Sequence, residues 1–477
     1  MAESQAHPSL PDIATLTERI VSTNAHLERT RPRGAGGQTA LTSTQLPATS
    51  ERRRSLADGL ADLPGARRLA LQRRALALQG LQPPFFRAQE PGPTAVTPRI
   101  DGAAMISFAS YDYLGLSRHP AVLAAARAAM EREGLSAGAS RLVGGERPSH
   151  AALENALAEH YGTEGALAFV SGHATNMAVL SSLLGPGDLV LLDGYAHNSL
   201  FEGAAFSGAS RRTFAHNDLD QLERLLAEGR SQHRNALIAV ESLYSMDGDS
   251  PDLPRLLEIR DRHNAWLMID DAHGLGVLGP DGHGLAAAAG VDPARVDLWM
   301  GTLSKSLAAT GGFVAGSAAL IEFLRFRAAG FVFSVGLPPA LAAGATAALA
   351  TLQQEPERHA RLARNGARFL DTARAAGLDT GPSEGQAITP VVVGSSLHAV
   401  ALSQRLFEGG LFAGPIVHPA VPENAARLRF FITAEHTEAQ IDRAVATTAA
   451  ALDDLDAWMA RQAATASQPA QGVSEAP

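Results

Sequence analysis

The sequence predicts an α/β fold, with a large, mainly parallel sheet domain followed by a smaller α+β domain. Between about residues 100 and 340, short apolar runs of strand length alternate with helical patterns, as happens where helices cover both faces of a parallel sheet. The chain has 477 residues, too many for one small core, and 45% of them are hydrophobic, enough for a large one. After about residue 340 the order changes and a second unit begins.

Residues 1–65 look like an extension. Leu10 to Leu27 has the pattern of one short amphipathic helix, and Thr30 to Ser50, rich in Gly, Pro, Thr and Arg, has that of a linker. Residues 66–145 are expected to pack on the main body. They hold a helix over Arg67 to Leu81, with Leu69, Leu71, Leu76 and Leu78 among basic residues, and another over Ala121 to Arg132.

The large domain spans 146–340. It opens with a helix over Ser149 to Tyr161, where Leu153 and Leu157 stand at i, i+4 spacing. The pattern then predicts a strand at Ala166 to Val170, a helix at Thr175 to Leu184 and a strand at Leu189 to Asp193. A helix at Asn217 to Glu228, a strand at Leu237 to Glu241 and a helix at Leu253 to His263 follow. Three more strands are expected at Trp266 to Asp270, Val296 to Met300 and Phe313 to Gly316. The small domain spans 341–460. An Ala-rich helix, Pro339 to Leu352, leads into it. Helices at Arg358 to Ala376, Ser395 to Glu408 and Thr437 to Met459 then alternate with strands at Ile388 to Val393 and Leu428 to Ile432. Residues 461–477, rich in Ala, Ser, Gln and Pro, are expected to be disordered.

The net charge of −9 gives no electrostatic case for nucleic acid or an anionic membrane. The chain has no Cys, which excludes disulfides, thiolate metal sites and cysteine nucleophiles. No metal site is expected. No apolar run reaches the ~18 residues of a spanning helix. Met1-Ala2-Glu3-Ser4-Gln5 lacks the basic and apolar regions of a secretory signal, so the expected address is cytoplasmic.

Sheets of this kind bind ligands beyond the carboxyl ends of their strands. Ser171-Gly172-His173, Asp193 to His197, Glu241 to Ser245, Asp270 to His273 and Lys305 all fall there. Lys305 is the only lysine of the chain, and it sits among hydroxyls in Thr302-Leu303-Ser304-Lys305-Ser306. A lone lysine is ordinarily a solvated surface residue. Here it lies on the connection between two buried strands, where a charge needs a partner or a covalent use. All other basic surface positions use Arg. A lysine in a confined site forms a Schiff base with an aldehyde cofactor. An aspartate at a strand end, such as Asp270, holds a pyridinium nitrogen protonated. Those two contacts are what pyridoxal 5′-phosphate (PLP) chemistry requires.

An ordered set of motifs extends this from about Phe108 to Val445. It comprises Tyr113-Leu114-Gly115-Leu116, Ser140-Arg141, Ser171-Gly172-His173-Ala174-Thr175-Asn176, His197-Asn198-Ser199, Ser245-Met246-Asp247-Gly248-Asp249, Asp270-Asp271-Ala272-His273-Gly274, Gly301 to Lys305, and Ala426-Arg427-Leu428-Arg429. The set resembles the α-oxoamine synthases, a PLP-dependent group of aminotransferase fold type I. That group includes 8-amino-7-oxononanoate synthase, 2-amino-3-ketobutyrate CoA ligase, 5-aminolevulinate synthase and serine palmitoyltransferase. The resemblance implies a large sheet of the seven-stranded type. It makes Lys305 the Schiff-base lysine that also moves protons at Cα, and Asp270 the partner of the pyridine nitrogen. His273 and Ser245 would bond the phenolic oxygen, and His197 would stack on the ring and aid activation of the thioester carbonyl. Gly172 and His173 would approach the phosphate and ring, Thr302 would bind the phosphate, and Arg429 would receive the substrate α-carboxylate.

The implied reaction is a decarboxylative condensation of a small amino acid with an acyl thioester, on CoA or a carrier protein, to give an α-amino ketone. Tyr111 stands where several bacterial relatives carry Asn, in the style of serine palmitoyltransferase. Ala420 replaces a Thr of the oxononanoate synthases, and Ser140 stands where glycine-specific relatives often carry Thr. These positions favour alanine or serine over glycine and an acyl group more apolar than succinyl. A homodimer is implied, with Phe333-Ser334-Val335-Gly336 reaching across. The alternatives are an aminotransferase or lyase of the same fold, which shares Lys305 and Asp270, and the specific activity of 8-amino-7-oxononanoate synthase in biotin synthesis.

Overall fold

The computed structural model describes residues 55–466. The helix expected over Leu10 to Leu27, the linker over Thr30 to Ser50 and the residues after Ala466 lie outside the described residues. The described chain forms two compact units: residues 55–85 with 454–466, and residues 86–453. The first contains helices Leu56–Ala61, Pro64–Leu78 and Leu455–Ala466. Its second helix starts earlier than the Leu periodicity indicates, because Pro64 is favourable in a first helical turn. Disorder was expected from residue 461, but the helix runs to Ala466, with Leu455, Trp458 and Met459 buried. The single helix expected over Thr437 to Met459 is therefore two, separated at Asp454.

The second unit begins with short paired strands and helices α1 (Pro120–Glu133) and α2 (Pro148–Tyr161). Strand β1 (Gly165–Phe169) leads into α3 (Gly172–Leu183), and β2 (Leu189–Asp193) into α4 (Asn198–Ser207). Then come β3 (Ser210–Phe214), α5 (Leu219–Gly229), β4 (Ala236–Glu241), α6 (Leu253–Arg262) and β5 (Trp266–Asp270). β6 (Leu298–Thr302) and β7 (Gly312–Gly316) complete a seven-stranded sheet of order β1-β7-β6-β5-β4-β2-β3. Helices α7 (Ala318–Arg327), α8 (Pro339–Gln354) and α9 (Pro356–Ala375) follow. A three-stranded antiparallel sheet of β8 (Ile388–Gly394), β9 (Gly414–Ile416) and β10 (Ala426–Phe431) has the order β8-β10-β9, with α10 (Ser396–Glu408) between β8 and β9 in sequence and α11 (Glu438–Asp453) after β10.

The runs Leu-Val-Leu-Leu-Asp of β2 and Ala-Leu-Ile-Ala-Val-Glu of β4 are buried along their whole length, as strands covered on both faces must be. β3 was not anticipated. Its Ser-Arg-Arg-Thr-Phe lacks an apolar run because it is the sheet's edge, and four of its five residues are exposed. β7 alone runs antiparallel to both neighbours, β1 and β6. The chain returns from β6 through residues 303–311 with no crossover helix, which only an antiparallel pair permits. β6 starts two residues later than expected. Asp297 instead accepts the Leu267 N–H at 2.8 Å and pairs with Arg260 at 2.7 Å. α3 begins at Gly172, so Gly172 and His173 are its first residues and not part of a preceding loop. Ser171 is the N-cap, its hydroxyl facing the Ala174 N–H at 3.5 Å.

Arg141 ties the start of this sheet to α2. It bonds Glu154 through both terminal nitrogens, at 3.0 Å from Nη2 to Oε2, and reaches Glu146 at 2.7 Å. Glu154 also accepts the Ala168 N–H of β1 at 2.8 Å. Removing one partner of a buried pair strands the other charge. Arg141→Met is expected to destabilise the protein by ~3 kcal/mol in urea unfolding, and adding Glu154→Gln to recover part of that loss.

Candidate active site

The sheet register sets the ends of β4 and β5 level, while β6 runs two residues further. Glu241 of β4 and Met300 of β6 both lie opposite Asp270 of β5. Beyond them opens a cavity of about 190 Å³. Its lining includes Gly172, His173 and Asn176 of α3, His197, Glu241, Asp270, His273, Thr302, Ser304 and Lys305.

Each strand end holds its own turn in place. Asp270 accepts the Ala272 N–H at 3.1 Å and the Asn176 amide at 2.8 Å, so both carboxylate oxygens have donors. Asn176 also reaches Ser199 at 2.9 Å, tying α3 to α4. Asp271 turns away from Asp270 and accepts the Tyr161 hydroxyl at 2.7 Å. His273 is bonded through Nδ1 to the Tyr113 hydroxyl at 2.7 Å. His197 caps α4, with Nδ1 2.7 Å from Ser199 Oγ, and its ring meets that of His173 edge to face. Arg429 of β10 donates to the Ser245 carbonyl at 3.0 Å and lies over the Phe431 ring, and its Nε has no partner among the described residues.

Removal from water dominates the electrostatics. Burial pushes the Lys305 amine down, Asp270 and Glu241 oppose this, and the result is about 8. Burial and the Asp270 charge push Glu241 up to about 8, against Lys305 and the N–H groups of His197 and Ser245. Burial, reinforced by the charges of Lys305, Arg429 and His197, holds His273 well below the usual imidazole range, so its ring is neutral. Burial lifts the Asp271 carboxyl to about 7 despite the Tyr161 bond.

Of the residues anticipated from sequence, Gly172, His173, His197, Asp270, His273, Thr302 and Lys305 line the cavity together. Arg429 and Ser245 meet each other beside it, and the Tyr111 ring packs edge-on against Phe431 and His273. Ser140 is elsewhere, with its hydroxyl donating to the Val332 carbonyl at 2.6 Å. Glu241 and Asn176 had no assigned role. Glu241 looked like the end of an apolar strand, and Asn176 like a helix residue within a longer motif. Glu241 meets Asp270 through the sheet register, and Asn176 through its side-chain amide.

The residues present suit PLP. Lys305 offers an amine for the aldehyde, and Asp270 a carboxylate for the ring nitrogen. The N-terminus of α3, with the hydroxyls of Thr302 and Ser304, offers donors for a phosphate. A side chain at Gly172 would put its Cβ 3.0 Å from Thr302 Oγ1, closing the approach of the backbone to that end of the cavity. Asn176 Oδ1 and Glu241 Oε1 are buried with no partner among the described residues.

Comparison with known proteins agrees with this chemistry. Residues 103–447 match the family of aminotransferases class I and II, which defines the chain as a PLP-dependent enzyme of fold type I. It is 45% identical over 356 residues to 8-amino-7-oxononanoate synthase of Methylobacterium nodulans, covering 75% of this chain and 88% of that protein. The corresponding synthase of Geobacter sulfurreducens is 45% identical over 352 residues, covering 73% and 89%. A serine palmitoyltransferase of S. paucimobilis, solved with PLP and myriocin, superposes with a TM-score of 0.80 at 31% identity, covering 85% of this chain and all of that one. An 8-amino-7-oxononanoate synthase of Francisella tularensis gives a TM-score of 0.64 at 25% identity, covering 73% and 98%. The chain belongs to the α-oxoamine synthases. It is a PLP-dependent acyltransferase that joins an amino acid to an acyl thioester.

Only the neutral amine attacks an aldehyde, and it exists above its pKa. The rate of PLP capture by the cofactor-free protein, followed by stopped-flow absorbance, should therefore rise with pH to a plateau with a midpoint near 8. A midpoint near the ~10.4 of an ordinary lysine would show that Lys305 is not held as described.

Proposed function

We propose that this chain condenses alanine, or serine as second choice, with an acyl thioester longer than succinyl, releasing thiol and carbon dioxide. The observation that carries the reading is the single lysine, its amine depressed to about 8 beside Asp270 and Glu241 in one cavity. In bound form, PLP withdraws electrons from the amino acid's Cα. Asp270 sustains that withdrawal by pairing with the ring nitrogen. Arg429, with its unpaired Nε, receives the α-carboxylate. Lys305 takes the Cα proton and returns one after carbon dioxide leaves. Roughly a tenth of its amine is neutral at pH 7, against well under a thousandth for an ordinary lysine. His197 covers the ring and donates toward the thioester oxygen as charge develops there. His273 and Ser245 would bond the phenolic oxygen, Gly172, His173 and Thr302 would hold the phosphate end, and Tyr111 would border the substrate. In this reading residues 146–340 form the cofactor domain and 341–460 the small domain, and the protein acts in the cytoplasm.

The acyl assignment follows from the relatives' chemistry. An 8-amino-7-oxononanoate divides between C7 and C8 into a seven-carbon dicarboxylic acyl group and the skeleton of alanine without its carboxylate. The 45% identity to proteins of that name supports this pair over the serine and long acyl chain of the structural neighbours. Product mass spectrometry should give the highest kcat/KM for alanine with heptanedioyl thioester, on CoA or carrier protein, against hexadecanoyl and succinyl. Serine and glycine should react more slowly, since one methyl or hydroxyl is worth only ~1–3 kcal/mol in discrimination. Lys305→Ala is expected to abolish product. A preference for succinyl, or transamination with no thiol release, would overturn the reading.

A homodimer completes it. Val143 and Phe333 are 84% and 87% exposed, and Leu142 and Val335 are exposed beside them. Their two segments are joined by Ser140 Oγ to Val332 O and by the Gly336 N–H to Ala139 O at 3.0 Å. This patch suits contact with a second copy, and it offers Ser140 a place near the other subunit's cavity. Val143→Asp with Phe333→Asp should yield an inactive monomer by light scattering, whereas a fully active monomer would contradict the dimer.

A further inference from the structure

Two loops carry the groups that face the cavity from the β2–β4 side. One runs from Asp193 at the end of β2 to His197, and the other from Glu241 at the end of β4 through Ser245 to Asp249. On the cavity side Glu241 lies near both, and the backbone N–H groups of His197 and Ser245 favour its charged form. A tie between the loops lies on their outer side. It is made by His216, which follows β3.

His216 Nδ1 is 2.9 Å from Asp193 Oδ1, and its Nε2 is 3.0 Å from Asp249 Oδ2. Both ring nitrogens therefore face carboxylate oxygens. A neutral imidazole donates only once, so both bonds form only with a proton on each nitrogen. The ring is thus a cation between two acids, one on each loop, with no lone pair left for a metal. Burial alone would depress it, but the bonds and charges of Asp193 and Asp249 lift it to about 10. The side chain is held on its faces as well. Tyr195 stacks on the ring at 4.7 Å, and Tyr244 meets it edge-on at 4.4 Å.

Neighbouring bonds repeat the same connection. Asn217, in a left-handed conformation with φ of 55°, gives its N–H to Asp193 Oδ2 at 2.8 Å and its amide to Asp249 Oδ2 at 2.8 Å. Asp193 Oδ1 also receives the Tyr195 N–H at 2.7 Å. The Tyr244 N–H bonds the Asp249 carbonyl at 2.9 Å, closing the turn that contains Ser245.

We propose that His216 is a positioning residue for the reaction: by bridging Asp193 and Asp249 it holds His197 and Ser245 in register with each other across the cofactor cavity. It touches neither cofactor nor substrate. Its effect runs through the two loops, and it rests on the proposed roles of His197 and Ser245.

The experiment uses purified holoenzyme carrying His216→Phe, which keeps the ring volume and the stacking on Tyr195 but donates nothing. The readouts are the visible circular dichroism band of bound PLP, the PLP dissociation constant, and kcat and KM separately, each per folded, cofactor-loaded site. Expected are an altered band, at least tenfold weaker PLP binding and at least tenfold lower kcat. A stability loss accompanied by a band and kcat within twofold of the parent would overturn the proposal, since that is what a purely structural histidine does. Should His216→Phe not fold, Asp249→Ala carries the test, with the same band change and at least a threefold loss of kcat expected. An unchanged band and kcat in that variant likewise overturns the proposal. His197→Ala and Ser245→Ala separate the two levels. If they alter the band and His216→Phe does not, the outer tie is wrong. If they too leave it unchanged, the assignment of His197 and Ser245 to the cofactor is wrong and the proposal falls with it.

Discussion

The site depends on keeping one amine and several carboxylates out of water at the same edge of one sheet. Isolated burial of any of them would be prohibitive. Together they offset one another, with Lys305 between Asp270 and Glu241 and Asp271 held back by Tyr161. The parallel register makes this possible, because β4 and β5 end level at Glu241 and Asp270, opposite Met300 of β6, and β6 carries the chain two residues further toward Lys305. The antiparallel return of β7 then brings Lys305 back over those ends without a crossover helix. Fold and chemistry meet in that single row.

Much of this was legible in the chain because buried parallel strands are continuous apolar runs, and the acids that end them stand out. Asp270 after Trp266 to Ile269, and Lys305 after β6, were visible in this way. β3 was not, because an edge strand of Ser-Arg-Arg-Thr-Phe buries little and leaves no apolar signature. The direction of β7 was also hidden, since strand periodicity carries no sense of direction. Glu241 needed the register, Asn176 the packing of α3 against the end of β5, and His216 needed three dimensions, as its two acids lie 23 and 33 residues away on different loops. Ser140 is a different case: a motif suggests a place near substrate, and within one chain its hydroxyl donates to the Val332 carbonyl.

The comparisons pull in two directions that physics reconciles. Sequence identity is higher to the oxononanoate synthases, while the structural superposition is better with serine palmitoyltransferase. Overall superposition reports how the elements are arranged, which both groups share. Substrate choice depends on a few side chains at the mouth of the cavity. Tyr111, a candidate for that role from the sequence, packs against Phe431, the ring over which Arg429 lies.

The solitary lysine has a practical corollary. Aldehyde cofactors, acylating thioesters and amine-directed reagents all compete for primary amines, and most enzymes offer them dozens of decoys on the surface. This chain answers with guanidinium groups, which such electrophiles leave alone near neutral pH. Apart from the α-amino group, the one primary amine of this chain is that of Lys305, which the proposed mechanism makes the catalytic one. On that mechanism a reagent that counts ε-amines counts active centres, and its exclusion by the cofactor measures occupancy without any assay of turnover.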